Sequence, residues 1–383
     1  MTENSAAGGR AAGGPSAANR FAVDYREEAA RFGPPPCPIV DGHLHVNGAR
    51  ASEIFGDVMD IFGVKHLMSQ SQLSEAAAVR KALGDRISFV AIPEYSSEDR
   101  GRAFREGFLE NLDVWHGEYG ARMVKLWNAP RWRDFARGLG GEDDLIDLDS
   151  PWRRRIADRA CELGMMMMAH IADPDTWFKT KYADASLYLT KDQHYEALER
   201  MLELYPVPWL IAHMGGSPED LGRLTGLLDR YPRVVLDTSA TKWMVRELSK
   251  HPRPDLVAFL ERFRGRVVFG SDIVTGDEHL RPTNADTPRF GAQLASSEAD
   301  AFDLYASRYW ALRTMFETDY DGESNIADPD LALVEPDRYD AMSAPRLVGR
   351  SLPRAMLLDL YSGAFDATIG AWYETGSFRD EPG

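Results

Sequence analysis

Ile39-Val40-Asp41-Gly42-His43-Leu44-His45 is a short apolar run that ends in two histidines one residue apart. Alternate side chains of a strand share a face, so both imidazoles point the same way. Such a pair is a beginning for a divalent-metal site, although alone it also fits chance polar residues at a strand end. The full run spans Pro38 to Val46, and seven more follow: Lys65 to Gln72, Ser88 to Glu94, Met123 to Asn128, Met165 to Ile171, Trp209 to Gly215, Val234 to Ala240 and Val267 to Ile273. Helical patterns separate them, which is the rhythm of parallel strands joined by crossover helices. Eight is the number of strands that closes a barrel, so the predicted fold is α/β, a (β/α)8 TIM barrel.

Helices are predicted over Trp152 to Leu163 and Tyr195 to Leu204, with Tyr205-Pro206 and Tyr231-Pro232 stopping helices just before the next strand. After the sixth run Ser217 is the expected cap and Pro218 the first helical position, followed by the one-faced spacing of Leu221, Leu224, Leu227 and Leu228. Long loops follow strands five and eight: Ala172 to Gln193, and an acidic insertion at about 274–345. Both leave strand C-termini, where barrel enzymes place substrate-access loops, so both are read as lids. Leu352, Met356, Leu357, Leu360 and Tyr361 are expected to form the last barrel helix. Residues 1–30 are read as a disordered or extended segment, leaving 31–383 as a single catalytic domain.

Hydrophobic residues make up 44% of the 383 and charged residues 27%, enough for a large core. A net charge of −16 disfavours nucleic acid and anionic membrane as partners. The expected partner is a small-molecule substrate, with homo-oligomer formation left open. Two cysteines are too few for a disulfide framework or a thiolate cluster. The Ala, Gly and Ser-rich start lacks the apolar run of a signal peptide or membrane anchor, so a cytoplasmic location is expected.

Other polar residues repeat the placement of His43 and His45. His170, His213 and Asp272 each end an apolar run, on strands five, six and eight, and in a barrel these ends converge on one face. This order resembles the amidohydrolase superfamily. Ile39 to His45, Ala212-His213-Met214-Gly215-Gly216 and Gly270-Ser271-Asp272 are most similar to its amidohydrolase-related branch, which contains nonoxidative decarboxylases of aromatic and related carboxylates beside hydrolases and hydratases. The resemblance covers roughly Pro38 to Asp272 and the last helix, and is loose across Val274 to Pro345.

The resemblance implies one divalent metal held by His43, His45, His170 and Asp272, with an open position for water or a substrate oxygen. Imidazole and carboxylate suit Zn, and Mn or Fe as well. Such an ion lowers the pKa of water toward ~7, and Asp272 is the expected proton shuttle. His213 is either a second metal ligand or a substrate-polarising catalytic group. Lys125, on strand four, bridges a second metal only if carboxylated; otherwise it binds a substrate carboxylate or a neighbouring acid. Trp127, Arg131 and Trp177 are candidate substrate-binding residues, against the plain alternative of a surface loop. Asp237, Thr238 and Ser239 are read as acceptors that orient metal-bound histidines, and Met165 to Met168 as a buried strand.

Three functions remain open on this reading. The first is a hydrolase acting on an amide, lactone or related bond of a small molecule. The second is a nonoxidative decarboxylase, and the third a barrel that has lost catalysis and serves as a binding protein.

Overall fold

The computed structural model describes residues 14–282 and 295–379. Eight parallel strands fall on the eight predicted runs: β1 (Ile39–Leu44), β2 (Val64–Ser69), β3 (Ile87–Phe89), β4 (Met123–Trp127), β5 (Met166–His170), β6 (Trp209–Ile211), β7 (Val234–Asp237) and β8 (Val267–Val268). They form two arcs, β1-β2-β3 and β4-β5-β6-β7-β8. Backbone bonds join the arcs at both seams. Ala91 N–H donates to Met123 O and Lys125 N–H to Ala91 O, both at 2.8 Å, while Gly42 donates to Phe269 O and Asp272 to His43 O at the same distance. The ring of strands is thereby closed, and the fold is a (β/α)8 TIM barrel.

The two-residue period sorts the strands into an outer core under the helices and an interior packed on itself. The interior cluster draws on seven strands and on Val90, the residue after β3: Val40, Met68, Val90, Met123, Met166, Met168, Leu210, Val235 and Val268. Of the four methionines expected to be buried, Met166 and Met168 face this interior, whereas Met165 and Met167 face the helices. Ala364, Phe365 and Ile369 of the C-terminal segment complete the interior cluster and close the end opposite the histidines.

Helices Pro151–Glu162 and Lys191–Leu204 form where expected, the latter opening on a Thr190/Gln193 capping box. Ser217, the expected cap after strand six, does not cap. The chain spends residues 213–216 in a left-handed turn, and Asp220 caps the helix Leu221–Arg230 instead, accepting from Arg223 N–H at 2.9 Å.

The insertion after strand eight is not simply a lid. It contains the helix Glu298–Glu317, which packs on the helix after β1 (Ala49–Phe62) and the helix after β7 (Thr241–Leu248), and so fills the eighth place in the helical ring. The segment predicted for that place, around Leu352 to Tyr361, forms a short helix Arg354–Leu358 and a π turn Asp359–Gly363 against β1 and β8. The wider turn frees Leu360 O to accept from Phe269 N–H at 3.0 Å.

The N-terminal segment, expected to be disordered or extended over 1–30, instead contains the helix Tyr25–Phe32, capped by Asp24. It covers the outer side of Glu298–Glu317, where Trp310 Nε1 donates to Glu28 at 3.0 Å. Residues 1–13, the rest of the expected disordered lead, and residues 283–294 of the insertion lie outside the described residues. No helix among the described residues is long and apolar enough to cross a membrane.

Candidate metal centre

Strand alternation determines which side chains meet at the C-terminal mouth. Above the buried methionines Met166 and Met168, the inner row of β5 ends in His170; above Val235, that of β7 continues into Asp237 and Ser239. The chain departs from extended geometry where it must aim a side chain. His213 and Met214 have left-handed φ values of 58° and 48°, and Asp272 has 58°. Each such non-glycine residue costs on the order of 1–2 kcal/mol, and strain of this kind gathers at functional sites. Gly216 completes the turn after His213, since a Cβ there would lie 2.0 Å from Ala172 O.

Asp237 organises the buried side of the site. Its Oδ2 accepts from His43 Nδ1 at 2.8 Å, while Oδ1 accepts from His213 N–H at 2.8 Å, Ser239 N–H at 3.0 Å and the Ser239 hydroxyl. The Ser239 proton is thus directed at the carboxylate, so Ser239 Oγ is left to accept from His213 Nδ1, 2.7 Å away. Both imidazoles then carry their proton on Nδ1 and present Nε2 as a lone pair, the form a metal requires. Burial, together with the neighbouring Lys125, pushes the His43 imidazole down to about 4 against the partial offset of Asp237. Burial and His170 hold His213 well below the usual histidine range. Asp237 stays ionised because His43 and its hydrogen bonds outweigh its burial.

The other donors meet on the open side. Asp272 Oδ1 lies 3.4 Å from His45 Nε2 and 3.7 Å from His43 Nε2. Two groups of potential ligand atoms lie within 4.8 Å of one another: His43, His45 and Asp272, and His43, His213 and Asp237. The chemistry of the first group fits a divalent ion, with two imidazole Nε2 atoms and a carboxylate converging. In the second group Asp237 is already the acceptor for His43 Nδ1, which makes it an orienting group. His170 packs edge-on against His213, with ring centroids 4.4 Å apart. Its Nε2 is taken by Asp173 Oδ1 at 2.8 Å, and Asp173 also accepts from the Tyr182 hydroxyl, so His170 has Nδ1 to offer.

Lys125 Nζ donates to His43 Nε2 across 3.3 Å inside the barrel. Burial lowers its amine to about 8, with Asp237 and Asp272 opposing that shift. Trp127 packs into an aromatic cluster with Tyr95, Trp132 and Phe135. Arg131 lines a surface groove with Glu98, Phe104 and Leu139, and none of the histidines lines it. Trp177 donates to Asp330 Oδ2 at 2.6 Å and stacks edge-on with Trp243 at 5.2 Å.

Several residues escaped the sequence reading. Trp243 stands between Trp177 and the histidines, 5.6 Å from the His213 ring and 6.2 Å from the His170 ring. Asp173 lies three residues beyond His170 in a loop, a position without a strand-end signal. Asp41 had a signal, because it stands two residues before His43 in the same strand. Burial raises its carboxyl to about 7, against hydrogen bonds from the Ser271 hydroxyl at 2.5 Å and Tyr309 at 2.9 Å. It therefore ties β1 to Ser271, the residue before Asp272.

The family model described as Amidohydrolase matches residues 71–333. None of the curated proteins matches the chain. Among solved structures, a TIM-barrel protein from Bordetella bronchiseptica is 14% identical with a TM-score of 0.41, covering 61% of this chain and 85% of its own. A 2,6-dihydroxybenzoate decarboxylase from Rhizobium is 14% identical with a TM-score of 0.38, covering 72% and 99%. A zinc-bound amidohydrolase from Burkholderia multivorans is 14% identical with a TM-score of 0.39, covering 87% and 99%.

Proposed function

We propose, from the premise that this chain belongs to the amidohydrolase family, that it is a metal-dependent hydrolase of a small molecule, acting on an amide, lactone or related bond. The observation that carries the reading is the position of Asp272. Its carboxylate touches the edge of the two-imidazole pair yet keeps 28% of its side chain exposed, so it reaches both the ion's place and the substrate's. Burial would raise its pKa, but His213, His45 and His43 together hold it far below the usual carboxylate range. It therefore starts the cycle as a proton acceptor, the state that hydrolysis asks of a shuttle.

His43 and His45 through Nε2, His170 through Nδ1 and Asp272 through Oδ1 would hold one divalent ion, which we take to be Zn with Mn or Fe able to replace it. Such an ion supplies Lewis acidity and makes a hydroxide nucleophile available near neutral pH. Asp272 takes a proton from the attacking water and returns it to the leaving group. Asp237 keeps His43 and, through Ser239, His213 in the tautomer that exposes Nε2. Trp243 covers the His170–His213 pair and limits water on that side.

Chelation of the purified protein should abolish turnover of a panel of lactones, esters and amides, and readdition of Zn or Mn should restore it. CO2 release from aromatic carboxylates with no hydrolysis anywhere in the panel would replace this reading with the decarboxylase. Absence of tightly bound metal, with no activity on adding it, would leave a binding protein.

A further inference from the structure

A second charged cluster lies beside the metal centre, on the helix after β7, the helix Glu298–Glu317 and the insertion. Its salt bridges do not balance. Asp330 takes Lys181 at 3.0 Å and Arg246 at 3.4 Å. Arg246 also takes Asp328 and Glu247, and Glu247 takes Lys250 at 2.6 Å. Two further cations, Lys242 and Arg308, stand next to this cluster, and among the described residues no ion pair is formed by either.

Arg308 is only 9% exposed, and its Nη1 donates to the Ser307 hydroxyl at 2.8 Å. No other hydrogen bond or ion pair of the guanidinium is formed among the described residues. Burial lowers it to about 10, with Tyr25 and Asp272 offsetting part of the shift, so the guanidinium sits within electrostatic reach of the shuttle carboxylate. Lys242 is half-buried, and burial and Arg308 lower its amine against the opposing carboxylates of Asp328 and Asp330. The start of its helix is tied to the metal centre, since Thr241 donates to Ser271 O at 2.8 Å. Trp243 follows, its ring against His213. Asp328 and Asp330 face Lys242 and Asp272 faces Arg308, yet Asp328 and Asp330 are already paired with Arg246 and Lys181, so in a protein of net charge −16 neither cation has a carboxylate of its own at ion-pair distance. Unpaired buried charge is costly unless a partner arrives.

We propose that Arg308 and Lys242 form an oxyanion subsite that holds a carboxylate or phosphate group on the substrate, away from the metal, while Trp243 packs on the body between that group and the scissile bond. The inference deepens the hydrolase reading by naming the substrate's charge. A fork of guanidinium donors beside an ammonium matches the charge and the paired oxygens of an oxyanion, whereas a neutral amide offers one uncharged carbonyl acceptor.

The test uses the full chain before and after metal removal by chelation, with benzoate, phenyl phosphate and neutral benzamide as probes and tryptophan fluorescence as the readout. At least one of the two anions is expected to bind the metal-free protein at least tenfold tighter than benzamide, and the tighter one names the group. In Lys242→Gln and in Arg308→Gln that preference should fall at least tenfold. Equal binding of the three probes, no binding by the metal-free chain, or an unchanged preference in Lys242→Gln would each overturn the subsite. The half-buried Lys242 variant keeps the test decisive if Arg308→Gln does not fold. Because the readout is binding without metal, the subsite can fail or stand independently of hydrolysis.

Discussion

Asp237 Oδ2 lies 2.8 Å from His43 Nδ1 inside the barrel, and the same carboxylate takes three further donors from His213 and Ser239. An asparagine has one acceptor oxygen for these four, and its NH2 would face either His43 or the His213–Ser239 backbone. Turned toward His43, it moves the imidazole proton to Nε2 and removes the metal's lone pair. Asp237→Asn is therefore expected to weaken metal affinity about 10–100-fold, measured by Zn titration of the chelated protein. Wild-type affinity in the variant would contradict the assigned tautomers.

Asp272→Asn separates ligation from proton transfer. Three imidazoles remain, so most metal should stay, while turnover falls by about 10²–10⁴-fold through loss of the shuttle. Metal analysis and kinetics on the same preparation decide it. Near-normal turnover would show that another group moves the proton.

Gln70 offers a trade between stability and function. It follows Ser69 at the end of β2, two residues beyond the interior Met68, and both its amide atoms are buried without a partner. A buried polar group left unsatisfied costs about 1–3 kcal/mol, and such costs are kept where a ligand supplies the missing bonds. Gln70→Met should therefore raise stability by about 1–2 kcal/mol in urea unfolding and lower kcat/KM. A variant that is less stable and fully active would show that Gln70 is packing.

The parts of this molecule that sequence made legible are those with a local period. Each apolar run kept its two-residue alternation, so the strand-end residues His43, His45, His170, His213 and Asp272 could be located, and Asp237 and Ser239 could be read as orienting acceptors. The helix Glu298–Glu317 was hidden for a physical reason. It is buried around its whole circumference, Asp303 to Phe316 included, so it carries no single apolar face to recognise. The N-terminal helix that buries its outer side was equally invisible, because its partner was. Asp173, Trp243 and Arg308 belong to loops and helices, and only tertiary packing brings them to the mouth. Arg131, expected near the substrate, lines a groove with Phe104 that none of the histidines lines.

The buried histidines give the metal-free fold a stability that depends on pH. His194 is 3% exposed and donates from Nε2 to Tyr188 O at 2.8 Å. Burial lowers its pKa against that hydrogen bond, and burial likewise lowers His66. A depressed folded-state pKa means that the unfolded chain takes the proton first. Stability is then complete above the unfolded value of about 6.5 and is lost as pH falls from there toward the folded value. For His43 that window runs down to about 4. The histidines therefore lower the melting temperature of the chelated protein as pH falls from 7 to 5, against the opposite contribution of Asp41, whose raised carboxyl takes its proton first in the fold. His194→Gln, which keeps a donor for Tyr188 O but cannot ionise, should lose less melting temperature over that range than the parent protein. Equal slopes for the two proteins over that range would mean that His194 is not among the groups behind this dependence.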